Sequence, residues 1–314
     1  MSALDLRWAN NVRTTLCYKR GMTKAIILLA ATALAAPDPD FLATENAWRE
    51  NRHARLASES GWLTLIGLHW LEPGENVLGS DPDATVPLPA GKAPKNAGVL
   101  LLKDGAVRLI PAPGSGLTID GAPAKEQVFR DDTQEKTDRV TLGDLSFHVI
   151  KRGERIGVRV RDKGSAVLKG FKGIDYYPPD AKYKVVATFH AYDTPRTVDI
   201  PNVLGTSEPM PAPGKVTFTL DGREHTLEPV VEDPEHPSLW FIFKDQTSGK
   251  ETYGGGRFLY SEMPKDGKVT IDFNQAYNPP CAFTAYATCP LPPKQNWLPV
   301  RIEAGEKSFH PAGH

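Results

Sequence analysis

The sequence predicts a mainly β protein in two parts, an antiparallel β-sandwich followed by a second β-rich region, with one helix before them. Three observations support this fold class. Short alternating apolar runs recur from Gly61 onward, turn pairs such as Asp104-Gly105 and Asp120-Gly121 separate them, and the 27 glycines and 28 prolines are spread along the chain. Short alternating runs between tight turns are typical of antiparallel strands.

The first residues have the layout of an export signal. Met22-Thr23-Lys24 precedes a small and apolar run over residues 25–33, and Ala33-Leu34-Ala35 forms an A-x-A cleavage site. The run is far shorter than the ~20 residues that span a bilayer, so a permanent anchor is the less favoured alternative. We expect residues 1–35 to be an over-extended start plus a signal peptide, with Met22 as the initiator. The mature protein would be exported, periplasmic or extracellular, with no stable membrane anchor after cleavage.

Charge and composition limit the classes of partner that this protein can bind. The whole chain has 37 basic and 38 acidic residues, and loss of five basic and one acidic residue with the first 35 leaves a net charge of −5. An acidic chain without a basic stripe is a poor nucleic-acid binder, because that binding begins with neutralisation of phosphates. We therefore expect a small-molecule partner and no nucleic acid.

Residues 36–60 are predicted to form the N-terminal helix. Within them, Phe41, Trp48, Arg52 and Leu56 lie at roughly helical spacing with charged residues between. We expect this helix to serve as a lid or a brace.

Residues 61–162 are predicted to form the β-sandwich domain. The order of its strands is similar to that of forkhead-associated domains, which bind phosphothreonine, but the resemblance is one of layout. Leu78 to Asp81 lacks the expected arginine, Lys95 to Gly98 lacks the histidine, and Asp120-Gly121 is an imperfect third match. Phosphopeptide binding is therefore a minor alternative.

Residues 163–183, with Tyr177-Pro178-Pro179, are predicted to be a linker, and residues 184–314 a second β-rich domain. This domain holds the densest polar segment of the chain, from Arg257 to Pro293. Groups so costly to bury are usually satisfied by one another or by a ligand.

A hairpin predicted around Asp266-Gly267 organises the start of this segment. It would pair Lys265 with Lys268 and continue to pair Ser261 with Asp272 and Leu259 with Asn274. One face would then carry Arg257, Ser261, Asp272 and Asn274, which together suit an anionic or hydroxyl-rich ligand. The structural alternatives are an Arg257–Asp272 salt bridge, a turn held by Asn274, Tyr277 and Asn278, and a core position for Tyr277.

Cys281 and Cys289 are the two cysteines after the predicted signal. In an oxidising compartment they are read first as a disulfide, which requires the chain to reverse near residues 284–286. Two buried thiols and a catalytic or metal role are the alternatives. We expect no metal and no cofactor, since zinc would need four ligands, and no phosphate loop, dinucleotide fingerprint or Gly-x-Ser-x-Gly elbow is present.

Four stretches carry a family resemblance: Gly61 to Gly79, Gly256 to Tyr260, Asp272 to Pro293, and Ala304 to Lys307. They resemble family 1684 of the domains of unknown function over roughly residues 45–309. The resemblance implies that eight polar residues belong to the family pattern without assigning an activity: Arg257, Asp272, Asn274, Tyr277, Asn278, Cys281, Thr284 and Cys289.

The leading functional hypothesis is a binding module for a small polar or anionic ligand. The ligand residues would be Arg257, Asp272, Asn274, Tyr277, Asn278 and Thr284. An alternative is an acid–base enzyme, a hydrolase or lyase, with Asp272 as acid or base, Tyr277 as proton donor and Arg257 as charge stabiliser. A third hypothesis treats the segment as a structural clasp without a ligand. The sequence does not decide whether the protein is an enzyme.

Overall fold

The computed structural model describes residues 38–310. The predicted signal peptide and initiator lie outside these residues. The mainly β architecture with one long N-terminal helix is confirmed. None of the helices between residues 38 and 310 is long and apolar enough to cross a membrane.

The N-terminal helix α1 spans Pro39–Ala57. It begins where the Asp38 side chain accepts a hydrogen bond from the Asp40 backbone at 2.9 Å, with proline in the first turn, where its missing N–H costs nothing. Its buried residues are Glu45, Arg52 and Leu56, so two charged side chains face the rest of the protein.

The first β region is a sandwich of two sheets. A six-stranded sheet has the order β1-β11-β10-β9-β6-β7 and a five-stranded sheet has the order β3-β2-β4-β5-β8. All ladders are antiparallel except that between β2 and β3. The strands are β1 (Leu65–Trp70), β2 (Gly74–Gly79), β3 (Val86–Pro87), β4 (Gly98–Lys103), β5 (Ala106–Pro111), β6 (Thr118–Ile119), β7 (Ala122–Pro123), β8 (Gln127–Val128), β9 (Val140–Leu142), β10 (Leu145–Arg152) and β11 (Arg155–Asp162).

The core of this sandwich fixes the direction of the remaining side chains. Val158 and Val160 of β11 and Phe147 of β10 belong to the apolar cluster shared by the two sheets. Because side chains alternate along a strand, Arg159 and Arg161 of β11 point to the opposite face. His148 is the cross-strand partner of Arg159 and shares that face.

The second β region follows a short helix α2 (Ala166–Gly170). It has a four-stranded sheet of order β14-β13-β12-β17 and a two-stranded sheet, β15-β16. Its strands are β12 (Lys184–Pro201), β13 (Ser207–Leu220), β14 (Arg223–Leu227), β15 (Leu239–Phe243), β16 (Arg257–Ser261) and β17 (Lys268–Asp272). Single turns of 3₁₀ helix lie at Trp62–Thr64, Ala181–Tyr183, Phe273–Gln275, Pro280–Ala282 and Lys294–Asn296.

The predicted hairpin is correct at its turn and wrong beyond it. Asp266 and Gly267 both have positive φ, and Lys265 bridges Lys268. The two strands then separate, so that Ser261 pairs with Leu239 of β15 and Asp272 with Lys184 of β12. The five residues of β15 are all buried, so β16 pairs with a wholly buried strand.

Candidate functional site

A cavity of about 990 Å³ lies between the two β regions, with α1 forming part of its wall; we call it the central pocket. Ligand pockets of proteins commonly have volumes of about 300–1,000 Å³. Its basic lining residues are Arg52, Arg55, Lys151, Arg152 and Arg159, and its aromatic ones are Trp48, Trp62, Trp240, Phe258, Tyr260 and Tyr277. The central pocket therefore has both a cationic and an aromatic part.

Arg159 is the unusual residue of the cationic part. Its side chain is buried, with 6% of the residue exposed, and among residues 38–310 no carboxylate oxygen lies within 4.0 Å of its guanidinium group. Its Nη2 donates to the Thr288 hydroxyl at 3.0 Å, and its Nε has no hydrogen-bond partner in the described part of the chain. Burial, and then the charge of Arg152, lower the pKa of Arg159 to about 10. A buried cation in this state is costly unless an anion joins it.

Arg152 and Thr288 complete this end of the central pocket. Arg152 pairs with Asp132 at 2.8 Å, and its Nε donates to the Thr288 hydroxyl at 3.2 Å. One hydroxyl oxygen thus accepts hydrogen bonds from two guanidinium groups. Thr288 holds the arginines in place without neutralising either charge.

Further positive charge lies beside Arg159. Arg161 is buried, donates to the Gly61 carbonyl at 2.6 Å, and has its pKa lowered to about 10 by burial and by neighbouring arginines. Burial, followed by Arg161 and Arg159, lowers the pKa of His148 to about 4. His148 is therefore neutral at neutral pH, and the arginines carry the positive potential.

The aromatic wall is built by β15, β16 and the segment after β17. Trp240 and Tyr260 are cross-strand partners, and their rings lie 5.7 Å apart and within 8° of parallel. Tyr277 continues the row, 6.3 Å from Tyr260, because its backbone bridges that of Phe258. The Tyr260 hydroxyl donates to Glu232. These rings give the central pocket an apolar side.

The helix α1 closes another side. Arg52 pairs with Glu306 at 2.7 Å, donates to the Asn278 carbonyl at 2.9 Å, and lies over the Tyr277 ring at 4.6 Å. These contacts neutralise Arg52 and tie α1 to the second β region.

The comparisons with known proteins concern the second β region most directly. The model of the family described as "Protein of unknown function (DUF1684)" matches residues 169–307. Residues 169–307 belong to the DUF1684 family. The matched residues include Trp240, Tyr260, Tyr277 and Thr288, whereas Arg159 precedes them. The resemblance inferred from the sequence is confirmed over residues 169–307.

Solved structures add little about function. An uncharacterised protein of Haloarcula marismortui, solved by NMR in solution, is 34% identical, with 46% of this chain and 80% of that chain covered and a TM-score of 0.38. A forkhead-associated domain studied for phosphothreonine-dependent interactions is 20% identical, covering 31% and 96%, and the FhaA forkhead-associated domain is 21% identical, covering 30% and 97%. Both of these have TM-scores of 0.22, which support no ligand for this chain. Comparison with the curated proteins yields no similar sequence.

Two of the predicted site residues already make several hydrogen bonds within the protein. Arg257 is fully buried, pairs with Asp245 at 2.6 Å, and donates to the carbonyls of Ile302, at 2.9 Å, and Ala304. Asp272 accepts hydrogen bonds from the backbone and side chain of Asn274 at 3.1 and 2.9 Å. The predicted face joining Arg257 to Asp272 is therefore wrong.

The other predicted residues mostly hold backbone segments together. Asn274 bonds both the N–H and the carbonyl of Asp180, each at 3.0 Å. The Asn278 side chain donates to the Lys307 carbonyl at 2.7 Å, and the Thr284 hydroxyl to the Leu65 carbonyl at 3.0 Å. Of the six predicted ligand residues, Tyr277 alone is among those that line the central pocket.

The predicted disulfide is absent, since both cysteines are free thiols. The chain does reverse between them, so that the Cys281 N–H donates to the Cys289 sulfur at 3.0 Å. A hydrogen bond from the Cys289 thiol lowers the pKa of Cys281, and the same bond with burial raises that of Cys289. Between residues 38 and 310, no group of three or more histidine, cysteine, aspartate or glutamate side chains is placed to hold a metal ion.

Sequence reasoning missed Arg159, Thr288 and Trp240. A signal for Arg159 was present, because Val158 to Arg161 alternates valine and arginine within a strand. Such alternation puts a row of arginines on one face of a sheet, and here that face is covered by the second β region and Trp62.

Proposed function

We propose that this protein is an exported binding protein whose central pocket takes a small organic anion with a flat or apolar part. Arg159 carries the proposal, because it is a buried guanidinium beside an open cavity and has no carboxylate partner in the described part of the chain. A carboxylate or phosphate of the ligand would provide the missing charge through short charge-assisted hydrogen bonds. Export is supported by the sequence pattern of residues 22–36.

The aromatic wall indicates the chemistry of the rest of the ligand, beyond its anionic group. Trp240, Tyr260 and Tyr277 offer ring surfaces in the same cavity as Arg159 and Lys151. A ring or an apolar chain attached to the anionic group would cover this wall and remove apolar surface from water. The ligand class is therefore an amphiphilic anion, such as an aromatic or sugar carboxylate, sulfonate or phosphate.

The geometry gives no support to acid–base catalysis by Asp272, Tyr277 and Arg257. A general acid or base must lie within hydrogen-bond reach of the reacting group. Arg257 is fully buried against Asp245, Asp272 Oδ1 accepts from Asn274, and neither residue lines the central pocket that Tyr277 faces. Binding remains the function that these contacts favour.

Thermal unfolding of the purified protein with a panel of small molecules tests the proposal. The panel contains inorganic phosphate, benzoate, glucuronate, anilinonaphthalene sulfonate and, as the uncharged control, glucose. A ligand at a hundred times its Kd stabilises the folded state by ~2.7 kcal/mol and raises Tm accordingly. We expect ring-bearing anions to raise Tm and glucose to leave it unchanged.

Two variants on one strand locate the effect. Arg159→Met removes the cation, whereas Arg155→Met removes an exposed arginine of β11 that stacks on Trp70 outside the central pocket. We expect Arg159→Met to fold, to be at least as stable as wild type without ligand, and to lose the Tm shift. A panel without any shift, or a shift kept by Arg159→Met, would overturn the proposal.

A further inference from the structure

Two buried carboxyl groups meet where α1 contacts the second β region. Glu45 of α1 is fully buried and Asp272, at the end of β17, is 9% exposed. The Gln275 amide donates to Glu45 Oε1 at 3.1 Å. The remaining oxygens, Glu45 Oε2 and Asp272 Oδ2, are buried and make no hydrogen bond with any of the described residues 38–310.

One proton would satisfy both oxygens. Glu45 bonds Gln275, which belongs to the 3₁₀ turn that Asp272 begins, so the two buried carboxyl groups are neighbours. Two neighbouring ionised carboxylates repel, whereas a carboxyl group that donates to a carboxylate forms a strong hydrogen bond. Aspartic proteases hold a shared proton in this way between two carboxyl groups.

The charged groups around the pair do not remove the need for this proton. Lys184, at the start of β12, has its Nζ 3.4 Å from Asp272 Oδ2 but makes no hydrogen bond with that oxygen. Arg49, one turn further along α1, attracts the Glu45 charge but donates to the Tyr177 carbonyl at 2.9 Å. Burial and then Asp272 outweigh these cations and raise the pKa of Glu45 to about 6.

We propose that Glu45 and Asp272 share one proton that docks α1 onto the second β region, so that the central pocket loses affinity for its anion when that proton leaves. The helix carries Trp48, Arg52 and Arg55 of the pocket wall. Gln275 lines the pocket as well and bonds Glu45 directly. The affinity part rests on the proposed function, whereas the docking part does not.

The direction of the pH effect follows from the shift of Glu45. Glu45 keeps its proton to a higher pH in the folded protein than in the unfolded chain, where its pKa is 4.5. The stabilisation is therefore complete below pH 4.5 and is lost as pH rises through about 6. The difference between the two pKa values of Glu45, 4.5 and about 6, limits the loss of docking, and hence of affinity, to about 30-fold.

Anilinonaphthalene sulfonate is a suitable probe because its charge is constant between pH 5 and pH 7.5. We expect its Kd for the full chain to rise several-fold, up to about 30-fold, over this range, and amide hydrogen exchange in α1 to quicken beyond the intrinsic pH effect. In Glu45→Gln, which mimics the protonated carboxyl group, both quantities should stay at their low-pH values. Glu50→Gln, an exposed position of the same helix, should behave as wild type.

The two readouts separate the two proposals. Faster exchange in α1 of wild type but not of Glu45→Gln, with no binding of the probe at any pH, supports the shared proton and contradicts the proposed function. Binding abolished by Arg159→Met but equally strong at both pH values, with unchanged exchange in α1, overturns the shared proton alone. A Glu45→Gln variant whose α1 still loosens at pH 7.5 overturns it as well.

Discussion

Replacing Arg257 by methionine should cost this protein much of its stability. The Arg257 and Asp245 side chains are both fully buried and join at 2.6 Å, and the guanidinium also binds the carbonyls of Ile302 and Ala304. Methionine keeps most of the volume but leaves one carboxylate and two carbonyl groups without this donor. The change therefore tests whether Arg257 belongs to the scaffold or to a ligand site.

The magnitude follows from the groups left behind. Breaking a buried ion pair by removing one partner typically costs about 3–5 kcal/mol. Asp245 keeps hydrogen bonds from the backbones of Thr247, at 2.7 Å, and Ile302, at 3.4 Å, which compensate its charge in part. We expect a loss of about 3–4 kcal/mol, a large fraction of the 5–15 kcal/mol that holds an ordinary domain folded.

Urea unfolding followed by circular dichroism and tryptophan fluorescence measures this loss. The double variant Arg257→Met with Asp245→Leu removes the stranded carboxylate and should recover at least 1 kcal/mol of the loss. As a control, Arg108→Met breaks an exposed pair with Glu126 and should change the free energy of unfolding by at most about 1 kcal/mol. A cost below 1 kcal/mol for Arg257→Met, together with lost anion binding, would refute the scaffold role.

Three smaller predictions follow from the same contacts. Burial and neighbouring arginines hold the pKa of His148 at about 4, below the ordinary 6.5, so the free energy of unfolding should fall by up to ~3 kcal/mol as pH drops from 6.5 to 4. His148→Gln should flatten this slope in urea titrations, and an unchanged slope would contradict the role of His148. Gly256→Ala should cost more than about 2 kcal/mol of stability, because φ is 91° and a Cβ would lie 2.4 Å from a proline ring. Gly267→Ala, where a Cβ would enter open space, should cost about 1 kcal/mol, and equal losses would contradict the close packing around Gly256. A thiol reagent should modify half-buried Cys281 in the folded protein and reach buried Cys289 only on unfolding, and a protein without titratable thiols would refute the free pair.

The sequence was sufficient for the fold class and for local turns. Asp104-Gly105, Asp120-Gly121 and Asp266-Gly267 were recognised because left-handed backbone favours aspartate and glycine, and all six residues have positive φ. What each strand does after its turn depends on partners elsewhere in the chain. The strands on either side of Asp266-Gly267 join different sheets, a choice decided by the apolar run of β15 and the long β12.

The candidate site was harder to predict for the same reason. The sequence shows that Arg257 and Asp272 are polar groups in a strand region, but not that Asp245 takes the first and Asn274 the second. Arg159 is significant because no carboxylate within residues 38–310 lies in reach of it, and that is a property of three-dimensional packing.

The buried Arg257 of β16 and the aromatic wall lie on opposite sides of the same strand. Along β16, Arg257 and Leu259 point to one side, and Phe258 and Tyr260 to the other. Leu259 accordingly belongs to the core of the second β region, whereas Phe258 packs with Trp240. The contacts of Arg257 with Asp245, Ile302 and Ala304 fix the first side, and so determine where the rings of the second side meet the central pocket. A structural clasp and a binding pocket are thus compatible within one segment, since the clasp sets the position of the wall that the ligand would cover.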